Sequence, residues 1–314
     1  MEQGASKVVW DRIPYPYSVP TVFYRVRRTE YRLRVTGYWL RVTDSGKMRV
    51  MAQETYKVYN LSDGVTYGPV QSRRLGASLG VNILPFGVKV CSFNCNYCQC
   101  GWTTDTVDPA ALAKYRFPTA GEVGDGLRQT LLDLKSKGQT LDCITLAGNG
   151  EPTLHPDFLN VVKSILSARD EVMPGVRCDI LSNAAHLDRP AVIEGLNLLD
   201  ARYMKLDAGN ESQFLNMNSP VTEVGIWDVI RHLPKLKDFI VQAMFTHGRR
   251  DNTDEKSVVD WINTVKRVKP LSVQLYSVDR FPADKKIHKV ERQLLEEIAA
   301  ALTDQTGIPA EVFG

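Results

Sequence analysis

Two periodicities divide this 314-residue chain. From Val22 to Asn60 apolar and polar side chains alternate, as in Phe23-Tyr24-Arg25-Val26-Arg27, Tyr31-Arg32-Leu33-Arg34-Val35 and Trp39-Leu40-Arg41-Val42, with breaks at Gly37 and at Asp44-Ser45-Gly46-Lys47. Period two with β-branched and aromatic residues predicts half-buried strands, here a small antiparallel set of three or four. Arg25, Arg27, Arg32, Arg34 and Arg41 would largely share its outward face. From Leu79 onward short apolar runs alternate with stretches of helical spacing. Strands are expected at 80–84, 141–147, 177–182, 203–207, 239–245 and 271–277, and helices near 122–137, 157–168, 190–196, 222–236, 254–268 and 290–302. Strands alternating with helices predict a parallel sheet in an α/β domain. The expected division is a basic β-strand appendage over residues 1–65 and an α/β domain over residues 66–314.

Composition changes this picture little: 43% hydrophobic and 24% charged residues suit an ordinary globular protein with a sizeable core. No apolar run approaches the roughly 20 residues that span a bilayer, and residues 1–20 lack a signal-like apolar region. A cytoplasmic protein without a membrane role is expected. Charge is more informative. Residues 1–90 hold 14 Lys and Arg against 6 acidic residues, and the remainder 25 against 30, within an overall +3. A basic segment of this kind suits a nucleic-acid or phosphate-bearing partner, or equally a solvated strand edge.

The chemistry concentrates after the first expected strand, in Cys91-Ser92-Phe93-Asn94-Cys95-Asn96-Tyr97-Cys98. Clusters of the [4Fe–4S] type are normally held by four thiolates, so a compact set of three implies an iron open to another ligand. Structural zinc takes four protein ligands, and the local fourth candidate, Cys100, follows Cys98 with one intervening residue, which is tight. A disulfide framework fits poorly, because six cysteines in 314 residues with no secretory segment is not a disulfide-dense composition. Residues 1–90 hold no cysteine and none follows Cys178, so one cluster is expected. Cys143 and Cys178 fall within expected strands as buried fillers.

The three-cysteine spacing with Tyr97 before the third cysteine resembles the signature of the radical S-adenosylmethionine (SAM) superfamily. Ser72-Arg73-Arg74-Leu75-Gly76 through Ser78-Leu79-Gly80, leading into that loop, is similar to the wyosine-synthetase-like branch, and the likeness runs from about residue 66 to the C-terminus. The resemblance implies a partial (β/α)₆ TIM-like barrel, with Cys91, Cys95 and Cys98 on a [4Fe–4S] cluster whose free iron takes SAM. Chemistry in such barrels sits at the carboxyl ends of the strands. There the second expected strand ends in Gly148-Asn149-Gly150-Glu151-Pro152, similar to the superfamily's Gly-Gly-Glu-Pro motif for the SAM amino group, with Asn149 in place of the first glycine. Ser182, Asn183, Lys205 and Asp207, at the next two strand ends, are candidates for the ribose and carboxylate of SAM. Gln242, Gln274 and Tyr276 would line the substrate side, and residues 245–250 would form a basic loop beside it.

The function implied is an enzyme that receives an electron from a flavodoxin or ferredoxin, cleaves SAM to a 5′-deoxyadenosyl radical and abstracts hydrogen from its substrate. A nucleotide or nucleic-acid base is the substrate class the basic segment suggests, and a small-molecule metabolite the alternative. A reading of another class is a nucleic-acid-binding protein with a structural metal site.

Overall fold

The computed structural model describes residues 61–103 and 107–314 throughout, together with the backbone of four strands nearer the N-terminus. The chain forms two compact units, Met1–Tyr56 and Lys57–Gly314. In the first, strands β1 (Val22–Arg27), β2 (Glu30–Val35), β3 (Tyr38–Thr43) and β4 (Met48–Val50) form an antiparallel sheet in chain order. The expected common face of Arg25, Arg27, Arg32, Arg34 and Arg41 concerns side chains outside the described residues.

The second unit begins with an antiparallel hairpin, β5 (Thr66–Ser72) and β6 (Gly76–Val81). The stretch Tyr67–Gly80 is therefore a hairpin, and its turn is closed by Ser72, whose Oγ accepts from the Arg74 and Leu75 N–H groups at 3.3 and 3.2 Å. The short helix α1 (Pro109–Leu112) and α2 (Ala120–Ser136) lead to β7 (Cys143–Leu146). Then come α3 (Phe158–Val172), β8 (Arg177–Ser182), α4 (Pro190–Leu198), β9 (Ala201–Lys205), α5 (Glu211–Met217) and α6 (Ile226–His232). β10 (Ile240–Gly248), α7 (Glu255–Val268), β11 (Ser272–Ser277), β12 (Ile287–Lys289), α8 (Arg292–Thr306) and β13 (Ala310–Phe313) complete the unit.

The six strands β6 to β11 pair in chain order and in parallel, with β5 on one edge and β13 on the other. This curled sheet is the expected partial (β/α)₆ barrel. Its two faces are chemically distinct because strand side chains alternate. The outer face carries Leu79, Val81, Ile144, Leu146, Ile180, Met204, Val241, Phe245, Val273 and Leu275, all buried in one core with Leu127 and Leu131 of α2 and Val161 and Ile165 of α3. The registers put Thr145 beside Asp179, Leu181 beside Tyr203, and Lys205, Gln242 and Gln274 in one row, all on the opposite, inner face. A parallel sheet covered by helices is ordinarily apolar on both faces. The polar inner face marks the side where chemistry is housed.

The strand expected at 203–207 runs over Ala201–Lys205, and two other elements shifted for local reasons. The first parallel strand runs over Gly76–Val81, earlier than 80–84, because the hairpin draws it back and Asn82 leaves the ladder, its amide bonding Leu84 O at 3.1 Å. The helix expected over 222–236 starts at Ile226 and gives way to a 3-10 turn at Leu233–Lys235. Residues just before it are engaged by the cysteine loop: Phe93 bridges to Pro220, and Val221 donates to Ser92 O at 2.9 Å. The strand at Arg177–Ser182 falls where the pattern placed it.

Candidate cofactor site

The cysteine loop crosses the carboxyl ends of the central strands and is fixed by backbone bonds to three segments. Val90 donates to Asn149 O at 2.8 Å and accepts from Glu151 N at 3.0 Å, forming a parallel bridge opposite Gly150. Gly150 has φ +143°, and a Cβ there would stand 1.8 Å from Val90 O, so the close approach requires glycine. On the other flank, Asn94 donates to Asn218 O at 2.9 Å and Asn96 to Met217 O at 3.1 Å, while Asn96 O accepts from Asp284 N at 2.8 Å. The side chain of Asn149 is committed to the same scaffold: it accepts from Ser62 N at 2.7 Å and donates to Ser62 O and Pro85 O at 2.8 and 3.0 Å.

Cys91, Cys95, Cys98 and Cys100 are free thiols on this loop, whereas Cys143 and Cys178 are buried in β7 and β8. Among the described residues no three His, Cys, Asp or Glu side chains gather as ligands of a single metal ion. The charge around the thiols suits a cluster. Lys89 is 6% exposed, donates to Gly101 O at 2.6 Å and has no carboxylate partner among the described residues. Burial works against its charge, but Cys98, Cys91, Cys95 and Cys100 outweigh that and raise its pKa. A buried ammonium costs several kcal/mol unless a negative charge meets it. The groups available are the thiols, so Lys89 fits an anionic thiolate set. Within that set, burial pushes Cys91 up and Cys95 up to about 11, while the hydrogen bond from Cys100 draws Cys98 down.

Besides Asp284, which is paired with Arg249 and Arg250, two buried carboxylates flank the loop. Glu151 is 2% exposed. Its Oε1 accepts from Thr153 N at 3.1 Å, Thr153 Oγ1 at 2.6 Å and Ser182 Oγ at 2.8 Å, and its Oε2 from Asn183 N at 2.7 Å. Burial raises its pKa despite these bonds. Asn183 also donates to Ser92 Oγ at 3.0 Å and approaches Cys91 Sγ at 3.8 Å, which ties Glu151 to the cysteine loop.

Asp207, also 2% exposed, lies on the other side. Its Oδ1 meets Lys205 Nζ at 2.8 Å and Met244 N at 2.7 Å, and its Oδ2 accepts from Asn218 Nδ2 at 2.8 Å and from the Tyr97 hydroxyl. Asn218 reaches Cys95 Sγ at 3.4 Å. Lys205 donates onward to Tyr276 OH at 2.9 Å, with its ammonium 4.8 Å from the ring centres of both Tyr97 and Tyr276. Burial opposes the Lys205 charge, yet Asp207 and Tyr276 hold its pKa above the usual value. Deeper on the inner face Gln242 Nε2 donates to Gln274 Oε1 at 2.8 Å.

The sequence-derived residues thus fall into two groups around one loop: Glu151, Ser182 and Asn183 beside Cys91, and Tyr97, Lys205 and Asp207 beside Cys95. Gln242 stands next to Lys205 in register. Lys89, Asn218 and Ser92 were not among the expected residues. A lysine two positions before the first cysteine was a readable signal; Asn218, an α5 C-cap, offered none.

Comparison with known proteins follows the same outline. No family model matches the chain. It is 29% identical over 236 residues to a protein named GTPase Obg from Brachyspira hyodysenteriae, covering 74% of this chain but 32% of that protein, so the likeness is to part of it. It is 28% identical over 243 residues to a UPF0026 protein of Helicobacter pylori, covering 74% of this chain and 72% of the relative. Among solved structures, a radical SAM methyltransferase from Sphaerobacter thermophilus superposes with a TM-score of 0.53 at 15% identity, over 94% of this chain and 77% of that one. Streptococcus suis SuiB bound to S-adenosylmethionine gives 0.52 at 15% identity, over 75% and 50%. The fold is that of the radical SAM partial barrel.

Proposed function

We propose that this chain is a radical SAM enzyme, with Cys91, Cys95 and Cys98 as the ligands of a [4Fe–4S] cluster and SAM as its second cofactor. The observation that carries this reading is the pair of opposite, uncompensated charges at the cysteine loop. Lys89 is a buried cation with thiols and no carboxylate around it, and Glu151 is a buried carboxylate with neutral donors and no cation within ion-pair reach among the described residues. An anionic cluster beside Lys89 and an ammonium beside Glu151 neutralise both. The solved neighbours named for radical SAM chemistry and for bound SAM support it at the level of fold.

Such a cluster with SAM on its open iron supplies, on one-electron reduction, a 5′-deoxyadenosyl radical. The protein's own part is binding and orientation. Cys91, Cys95 and Cys98 hold the cluster and Lys89 balances its charge. Glu151 accepts the SAM ammonium, positioned by Ser182, Asn183 and Thr153. Gly150 lets the backbone approach, and Asn149 fixes that loop. Tyr97, Lys205 and Asp207 form the opposite wall, and Gln242 faces the interior where a substrate would lie. A flavodoxin or ferredoxin is the proposed reductant, and the cytoplasm the proposed location; among the described residues no helix is long and apolar enough to cross a membrane. We place the catalytic domain at 66–314 and the basic appendage at 1–65, with a nucleotide or nucleic-acid base as the substrate class its charge favours.

Anaerobic reconstitution with iron and sulfide tests this. A reduced [4Fe–4S] paramagnetic signal that changes on adding SAM, with formation of 5′-deoxyadenosine, is expected. Ala at Cys91, Cys95 or Cys98 should each abolish the signal, while Ala at Cys100 retains it. Zinc near one per chain without labile sulfide would sink the reading.

A further inference from the structure

The hairpin turn between β5 and β6 carries Arg73 and Arg74, and the two side chains part there. Arg73 is exposed and pairs with Asp279 at 3.1 Å, past the end of β11. Arg74 instead lays its guanidinium 3.9 Å from the centre of the Tyr276 ring on the inner face of the barrel. Its Nη1 is buried and meets no acceptor. No carboxylate lies within ion-pair reach of Arg74 among the described residues.

The other inner-face cations are answered. Lys205 has Asp207 at 2.8 Å, and Arg177 has Asp179 at 3.0 Å. Arg74 is the cation of this face with no ion-pair partner among the described residues; Glu311, beside Gln274 in register, is exposed and makes no ion pair with it. Burial would raise the Tyr276 hydroxyl, yet Lys205 and Arg74 together bring it below its ordinary pKa, a sign of positive potential around it. Orientation matters as well. A guanidinium that packs over an aromatic ring can keep N–H donors free for bidentate bonds to an oxyanion.

This cation stands one residue beyond the proposed cofactor wall, with Tyr276 between them. A chain of contacts runs from Cys95 through Asn218 to Asp207, then Lys205, Tyr276 and Arg74. Arg74 ends that chain, and it meets the Tyr97–Lys205–Asp207 wall through Tyr276. We propose that Arg74, backed by Tyr276, is the seat for an oxyanion of the substrate, a carboxylate or a phosphate. The inference rests on the radical SAM reading for the presence of a substrate in the barrel interior, and it adds that this substrate is an anion.

The test is anion binding to the cluster-loaded protein, without SAM turnover. Sodium orthophosphate and sodium acetate are titrated calorimetrically into the parent, Arg73→Gln, Arg74→Gln and Arg74→Lys, with melting curves checking that each variant folds. The parent and Arg73→Gln should bind at least one anion saturably. Arg74→Gln should bind it at least tenfold more weakly, and Arg74→Lys, which keeps the charge without the fork, should fall between. Preference for phosphate points to a phosphate-bearing substrate and preference for acetate to a carboxylic acid. Equal binding by Arg74→Gln, or none by the parent, overturns the seat. So does an equal loss of SAM affinity in Arg74→Gln, which would assign the oxyanion to the carboxylate of SAM. Because no cleavage is needed, a failed titration leaves the radical SAM reading standing, whereas absent 5′-deoxyadenosine with intact anion binding strikes that reading instead.

Discussion

Glu151 and Asp207 are equally buried and lie on opposite flanks of one cysteine loop, yet the protein treats their charges differently. Asp207 is met by a cation, a phenol, an amide and a backbone N–H, so its charge is cancelled within the fold. Glu151 is met by two hydroxyls and two backbone N–H groups and by no cation. Hydrogen bonds orient a carboxylate and lower the cost of burying it, but they leave the net charge in place. On the proposed reading Asp207, expected to bind SAM, also holds the Tyr97–Lys205 wall, and Glu151 is the acid left for a cationic ligand. The resemblance set Glu151 and Asp207 on different parts of SAM, and the one further signal in the sequence is Lys205 two positions before Asp207.

The comparison breaks most visibly at Asp207. Removing one partner of a buried ion pair typically costs about 3–5 kcal/mol, so Asp207→Ala should lower the melting temperature of the cofactor-free protein by on the order of 10 °C. Asp207→Asn, which keeps an acceptor for Met244 N, should cost less. A melting temperature unchanged in Asp207→Ala would show that Lys205 finds another partner. At Glu151 the effect should fall on the ligand. Glu151→Gln removes a charge-assisted bond worth roughly 1.5–3 kcal/mol, so SAM affinity should drop about tenfold or more by calorimetry while iron content is unchanged. Equal losses of stability in the two variants would erase the distinction.

Lys89 sharpens the contrast from the cluster side. Groups just outside a metal's ligand shell typically contribute 10–100-fold in metal affinity. Lys89→Met should therefore lose iron to a chelator about tenfold faster after reconstitution, with SAM affinity measured before the loss unaltered. A variant that holds iron as the parent does would remove Lys89 from the cluster's charge balance.

What the sequence allowed to be read was what depends on neighbours along the chain. The six-strand order followed from apolar runs, and the cysteine loop and Glu151 from compact motifs. Arg177–Ser182 was located to the residue because both flanks are sharp. The rest depends on partners distant in sequence. Tyr276 joins the site through Lys205, 71 positions away, and Asn218 through Cys95, 123 positions away. The late start of α6 is set by the cysteine loop, which engages Pro220 and Val221, together with Asp228, whose carboxylate accepts from Gly225 N at 3.1 Å. Arg74 was visible as one of two adjacent arginines in the stretch Ser72–Gly80, but its place on Tyr276 needed the barrel to close around it.

The smallest expected effect concerns a second pair of buried groups whose titrations oppose each other. Burial raises the Asp179 pKa to about 6 against the pull of Arg177, and its Oδ1 has no hydrogen-bond partner. His186 is the reverse case: burial, with Arg189 beside it, lowers its pKa to about 4, and its Nε2 is unpartnered. An acid with a raised folded-state pKa binds more protons folded than unfolded, so its contribution to stability grows as pH falls from about 6 toward 4. A histidine with a depressed pKa binds fewer protons folded, so its contribution is lost as pH falls from 6.5 toward about 4. Over the same window the two offset one another. Asp179→Asn removes the rising contribution and leaves the falling one exposed. Denaturant melts at pH 7, 6, 5 and 4 should show the variant losing stability on acidification more steeply than the parent, with its largest relative advantage at pH 7. Parallel curves for the two proteins would mean that Asp179 titrates as an ordinary carboxylate and that Arg177 meets its charge in full.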